Sequence, residues 1–238
     1  MGAFSVIVKA KANFMASPAE TDLTALAEAA TRTGARPFKE ATGNWATAVE
    51  VALMDTILSI GARADGAYGA GVLPRLRAYK AFRGQANMMR LIATLGPFGL
   101  ADFVAQRHQM DMLMTAAGTL LDAGINGAAD VDPTSQQQRE ALLTTAGVPT
   151  PAWDYFLIAL GHHTPYLAEV QNTRLDSFVT RALSLEKISR TRRDALLQDV
   201  TVQLDVEHQQ KSYGRMPEFT LPQLQQAIFR AEYARATA

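Results

Sequence analysis

Apolar residues recur every three to four positions along most of the chain, a period that predicts helices joined by short turns. The one strand-like run is Phe4 to Val8. A first helix is read over Ala19 to Thr33, opened by Ser17-Pro18, closed by Gly34 and carrying a face of small alanines suited to close packing. Thr42-Gly43-Asn44 serves as a cap for the next one. There Trp45, Ala48, Val49, Ala52, Leu53, Thr56, Ile57 and Ile60 share one stripe, while Val51, Met54 and Leu58 make the other side apolar too. A helix apolar all round belongs at the centre of a fold. Shorter helices are read over 72–82, 87–95 and 106–123, the last with Met110, Leu113, Met114, Ala117 and Leu121 on one stripe, a spacing that fits core packing better than a methionine-lined cofactor site. Asp130-Val131-Asp132-Pro133 starts a helix running to Thr145. Trp153 to Leu160 is apolar except for Asp154 and reads as a second buried helix. Leu175, Phe178, Val179, Ala182 and Leu183 form a stripe on the next, and helices over 189–207 and 221–234 complete the chain. The expectation is an all-α, two-lobed globule in which the N- and C-terminal helices pack together.

Length and composition narrow the chemistry. A chain of 238 residues can bury a core without a disulfide or a metal to hold it. It contains no Cys, which excludes disulfides, thiolate metal sites, iron–sulfur clusters and a cysteine nucleophile together. Lys+Arg and Asp+Glu are 23 each, so no global basic field drives nucleic-acid binding and any such contact must be local. Lys9 and Lys11 follow the apolar Ala3–Val8 run instead of preceding it, the reverse of a secretory signal. No window approaches the roughly 18 uninterrupted apolar residues of a membrane span. A soluble, cytoplasmic protein with no membrane partner is expected.

The segment richest in signals begins at Gly147-Val148-Pro149-Thr150-Pro151, a tight turn between two predicted helices. The second helix, Trp153 to Leu160, ends at Gly161, and Leu175-Asp176-Ser177-Phe178-Val179-Thr180-Arg181 follows as an Asp-x-x-Val-x-Arg pattern read as opening another helix. Val51 to Ala64 is an early helix ending in the pair Leu58-Ser59. In this order and spacing the chain resembles the helix-hairpin-helix DNA glycosylases of the endonuclease III superfamily. It is most similar to their cysteine-free bacterial branch with a Trp-x-Tyr-Phe motif, here Trp153 to Phe156. The resemblance spans about Trp45 to Arg235, with residues 1–44 as an N-terminal segment and packing helix and 45–238 as the glycosylase-like part of one globular unit.

The resemblance implies a two-lobed helical fold and duplex DNA as partner. It implies that Gly147, Val148 and Thr150 form a hairpin holding a DNA phosphate through backbone N–H groups at a helix start. A target nucleotide would be rotated into a pocket between the lobes. Asp176 takes the position of the catalytic carboxylate, stabilising positive charge on the sugar or activating water as the N-glycosidic bond breaks. Pro149 stands where the hairpin's second glycine is expected and brings no N–H. Thr150, Pro151 and Ala152 occupy the place of the lysine of bifunctional members, so hydrolysis would be monofunctional. Gly61 falls near the position that fills the gap left by an extruded base.

Other residues have both a chemical and a structural reading. Lys187, Arg190, Arg192 and Arg193 are the densest basic cluster and could face a phosphate backbone, although Glu186 and Asp194 dilute the charge as on any solvated helix start. Arg174 and Arg181 flank Asp176 at helical spacing. Trp153 and Tyr155 could line a base pocket or fill a core. His162-His163 are adjacent, point apart and have no partner at metal-site spacing, so no metal and no cofactor are expected. Besides a monomeric DNA glycosylase, two alternatives stay open: a DNA- or protein-binding module without catalysis, and an N-glycosidase acting on a free nucleoside or nucleotide.

Overall fold

The all-round apolar stripe becomes helix α2 (Val49–Ser59), every residue of which is buried. The computed structural model describes residues 18–33, 45–60, 62, 71–84, 88–212 and 219–237. Among these, α1 (Pro18–Arg32) precedes α2, and α3 (Leu73–Arg83), α4 (Arg90–Leu100), α5 (Arg107–Asp122), α6 (Gln136–Leu143) and α7 (Ala152–Ala159) follow it. The series ends with α8 (Pro165–Ala182), α9 (Arg190–Ser212) and α10 (Leu221–Ala236). A short 3₁₀ turn, Ala128–Asp130, stands before α6, and no strand occurs among the described residues. The Phe4–Val8 run, the Thr42–Asn44 cap, Gly34 and Gly61 lie outside the described residues.

Two helix boundaries carry physical information. The helix expected to end at Leu95 runs to Leu100, but across a kink where Gly96 takes φ 60° and ψ −173° before Pro97 restarts the turn. The helix carrying Asp176 corrects the reading given above. It opens not near Leu175 but at Pro165, with the Thr164 hydroxyl accepting from the Leu167 N–H at 3.1 Å. Thr then Pro is an N-cap followed by N1, and the polar run between them and Leu175 hides the helix because most of its face meets solvent.

α2 packs on α7, α5, α3 and α10, while α4 lies on α5, α5 on α6 and α6 on α7. A second set forms where α10 packs on α8 and α9, and α1 also packs on α8 and α9. The N- and C-terminal helices thus share their neighbours and line one cavity beside Arg181. The two sets meet where α7 leads into α8 and where α10 crosses α2. α7 contributes Trp153, Phe156, Leu157 and Ile158 to the core. Each such burial stabilises the fold by about 1.5–3 kcal/mol.

Charged groups also sit inside this apolar layer, Glu50 and Asp55 of α2 among them. Asp55 of α2 is fully buried and accepts hydrogen bonds from Trp45 Nε1 (2.7 Å), Tyr155 Oη (2.9 Å), Ser59 Oγ (3.2 Å) and Arg230 Nη2 (2.9 Å). A buried carboxylate is tolerated only when so paired. It ties the segment before α2 to α7 and α10.

Candidate functional site

The turn between α6 and α7 forms as the sequence requires. Ser135 caps α6, its hydroxyl accepting from the Gln138 N–H, and buried Leu142 and Thr145 bring the chain to Gly147. Gly147 adopts φ +85°, a conformation that calls for glycine, and a Cβ there would stand 2.8 Å from the Met112 Cε of α5, the flexible tip of which would have to shift. The Val148 N–H donates to Thr145 O, and the Ala152 N–H donates to Pro149 O. Val148 packs against the core, whereas Gly147 and Thr150 are exposed, and their N–H groups meet no partner among the described residues. An exposed pair of donors before a helix can receive an anion.

A carboxylate stands beside that turn. Asp154, in the first turn of α7, accepts a hydrogen bond from the Tyr166 hydroxyl at 2.9 Å. Burial pushes its carboxyl above the usual range, against the opposing pull of that hydroxyl and of the Arg139 and Arg174 guanidiniums. Asp154, Arg139, Trp153 and Tyr166 line a cavity of about 640 Å³ at the starts of α6, α7 and α8. Trp153 is therefore both a core residue and part of a cavity wall. Tyr155 is not: its ring stacks on Phe229 and Tyr233 and its hydroxyl is committed to Asp55, which corrects its reading as a pocket residue. Burial and the Asp55 charge hold that hydroxyl protonated well above its ordinary range.

Asp176 lies eleven positions beyond Pro165, about 16 Å along α8 at 1.5 Å per residue, and not at a helix start. Its Oδ1 accepts from Arg193 Nη1 at 2.9 Å. The Arg193 side chain is 3% exposed and that of Asp176 36%. The same guanidinium donates to Asn172 O (3.2 Å), Asn172 Oδ1 (2.9 Å) and Asp194 Oδ1 (2.8 Å). Glu169, one turn before Asn172, pairs with Arg190, so residues 169, 172 and 176 form a stripe of α8 facing the first turn of α9. Asp176 is one member of that clamp.

The basic cluster is largely spoken for in the same way. Arg190 pairs with Glu169, Arg192 with Asp22 at 3.2 Å and Arg193 with Asp176 and Asp194; Arg193 is buried, whereas the Arg190 and Arg192 side chains stay more than half exposed. Lys187 is exposed, with no carboxylate partner among the described residues. Arg181, expected beside Asp176, instead reaches Glu232 of α10 in a bidentate pair. A third cavity, of about 370 Å³, lies between α8 and α10 and is lined by Gln171, Asn172, Gln225 and Gln226 together with Ile158, Leu175 and Pro222. Asp176 does not line it, although Asn172, one turn away, does. His163 reaches its edge, and burial with His163 as neighbour lowers the pKa of His162, keeping that ring neutral near pH 7. Among the described residues no group of three or more His, Asp and Glu is placed to hold a metal ion, and no helix is long and apolar enough to cross a membrane.

Compared with family models, curated proteins and solved structures, the chain matches none.

Proposed function

We propose that this protein binds duplex DNA through the α6–α7 hairpin and that its fold is a helix-hairpin-helix arrangement serving mainly as a binding module. The observation that carries the reading is the exposed turn at Gly147, whose left-handed glycine and Gly147 and Thr150 N–H groups, without a partner among the described residues, present donors to an anion at the start of α7. The segregation of α2–α7 from α1 and α8–α10 agrees with two lobes. Asp176, turned toward Arg193 and α9, has the geometry of a clamp.

Removal of a base by hydrolysis is the second reading, favoured by the partly amide-lined cavity one helical turn from a carboxylate that keeps over a third of its surface in solvent. The planar edges of a base match carboxamides that both donate and accept. One titration separates the readings. Labelled duplex is bound at several salt concentrations, and the same mixtures are assayed for released base. Binding whose log affinity falls with log salt, with no base released, supports the module. Salt-dependent binding with release that Asp176→Asn abolishes supports the glycosylase. Absence of any salt-dependent binding overturns both.

A further inference from the structure

The cavity at the starts of α6, α7 and α8 is lined by neither Asp176 nor the Gly147 to Thr150 turn. Its volume, about 640 Å³, falls in the range of roughly 300–1,000 Å³ usual for small-molecule sites. Apolar surface comes from Trp153 and Leu157, both buried, and from the ring of Tyr166, which is 63% exposed. The Tyr166 hydroxyl is tied to Asp154 at 2.9 Å, so that ring is a fixed wall and not a freely turning surface side chain. Trp153 is 2% exposed, yet its indole N–H makes no hydrogen bond to any described residue, where a buried indole ordinarily finds a partner.

Charge decides what fits. Arg139 lines the cavity, half-buried, with no carboxylate paired to it among the described residues. It pulls the Asp154 pKa down, as does Arg174 of α8, but neither makes an ion pair with that carboxyl. Two guanidiniums thus stand near one carboxyl that burial pushes toward its neutral form. A cationic ligand would meet an excess of positive charge. A neutral one would leave the Arg139 fork half-desolvated with nothing to accept its donors. A compact dianion such as phosphate would find a single cation on the cavity wall, face Asp154 as repulsion and leave the apolar surface uncovered. What matches is a planar pair of acceptors for the guanidinium joined to a flat apolar body. We propose that this cavity binds a small aromatic monocarboxylate, its carboxylate on Arg139 and its ring against Trp153 and Tyr166. The site stands whether or not the hairpin binds DNA. Asp154 faces the bound anion together with Arg139 of α6 and with Tyr166 and Arg174 of α8. Its carboxyl is ionised only above a raised pKa, so affinity should rise as pH falls through that value and the repelling charge is lost.

Isothermal titration calorimetry on the full chain tests this with benzoate and indole-3-acetate as ligands. Benzamide and benzyltrimethylammonium serve as neutral and cationic controls, and inorganic phosphate as the anion without a ring. The expected result is a dissociation constant of about 1 mM or lower for at least one carboxylate, with all three controls weaker by about tenfold or more. Arg139→Gln should weaken carboxylate binding about tenfold, and Arg139→Lys should recover only part of it, since an ammonium cannot make the fork. Asp154→Asn should keep the low-pH affinity at every pH, measured with benzenesulfonate, which stays ionised throughout. Wild-type selectivity decides the ligand class even where a variant fails to fold. No carboxylate binding by the wild type, equal binding of benzamide or the ammonium, or phosphate bound as tightly overturns the proposal. A folded Arg139→Gln that binds benzoate as the wild type does overturns it too.

Discussion

Asp176→Asn and Arg193→Met, made separately, tell a clamp from a catalyst. Arg193 is almost fully enclosed and donates four hydrogen bonds, two to Asn172 and one each to Asp176 and Asp194. Methionine keeps much of its apolar stem and removes all four. Removing one partner of a buried pair costs about 3–5 kcal/mol. Asp176 and Asp194 are partly solvated and can turn to water, so the lower end, about 3 kcal/mol, applies. Asp176→Asn exchanges one charge-assisted bond for a neutral one, about 1 kcal/mol at most, and solvent reduces it further. For a chain of this size 1 kcal/mol moves Tm by about 2–4 °C. Arg193→Met should therefore lower Tm by roughly 6–12 °C and Asp176→Asn by no more than about 4 °C, read by thermal melts and checked by urea titration. DNA affinity should change little in either. The clamp assignment is refuted if Asp176→Asn leaves Tm untouched and abolishes base release while DNA affinity is retained.

Gly147→Ala should lose about 1–2 kcal/mol in chemical denaturation, since alanine is strained at φ +85° and its Cβ displaces the flexible end of Met112; the same variant should bind duplex DNA more weakly. Tyr155→Phe removes a buried donor to Asp55 and should cost about 1–2 kcal/mol without altering DNA affinity. Asp55→Ala strips Arg230 of a buried carboxylate and should cost about 3–5 kcal/mol, enough to show as loss of soluble protein on expression. Asp154 should make phosphate binding pH-dependent. Its pKa is raised, so its charge is lost as pH falls while an ordinary carboxylate is still ionised. Losing a negative charge at the start of α7 should strengthen binding at the hairpin toward acid pH, and Asp154→Asn should hold the tight form at every pH, as anisotropy measures.

The helices were legible because each buries a stripe: α2 and α7, apolar all round, announced themselves as the centre. What stayed hidden was long-range polar pairing. The apolar residues around Asp55 mark it as buried, but nothing local names its partners, because Tyr155 and Arg230 stand 100 and 175 residues away. The start of α8 was hidden for another reason. Its first turns are largely solvated and so weakly periodic, although Thr164-Pro165 carried the capping signal. The ion pairs of the basic cluster at 187–193 are hidden from the sequence because Glu169 and Asp22, which pair with Arg190 and Arg192, come from other helices. At the hairpin, the glycine and prolines placed the turn correctly, since backbone conformation there is dictated by the residues themselves.

The Asp55 network also orders events in time. α2 and α7 can dock as soon as both have been made, but their shared carboxylate still lacks the guanidinium carried by α10, which is synthesised 175 residues after it. At synthesis rates of roughly 5–20 residues per second, the core built from α2 and α7 waits about 4–14 seconds after α7 is complete with a charge short of its partner. Docking of the final helix is then a locking step that closes a contact spanning 175 residues, and long-range closure is slow. A chain stopped short of Arg230 should persist as an open, protease-sensitive intermediate, so the C-terminal helix acts as a late checkpoint on whether the first layer has assembled in register.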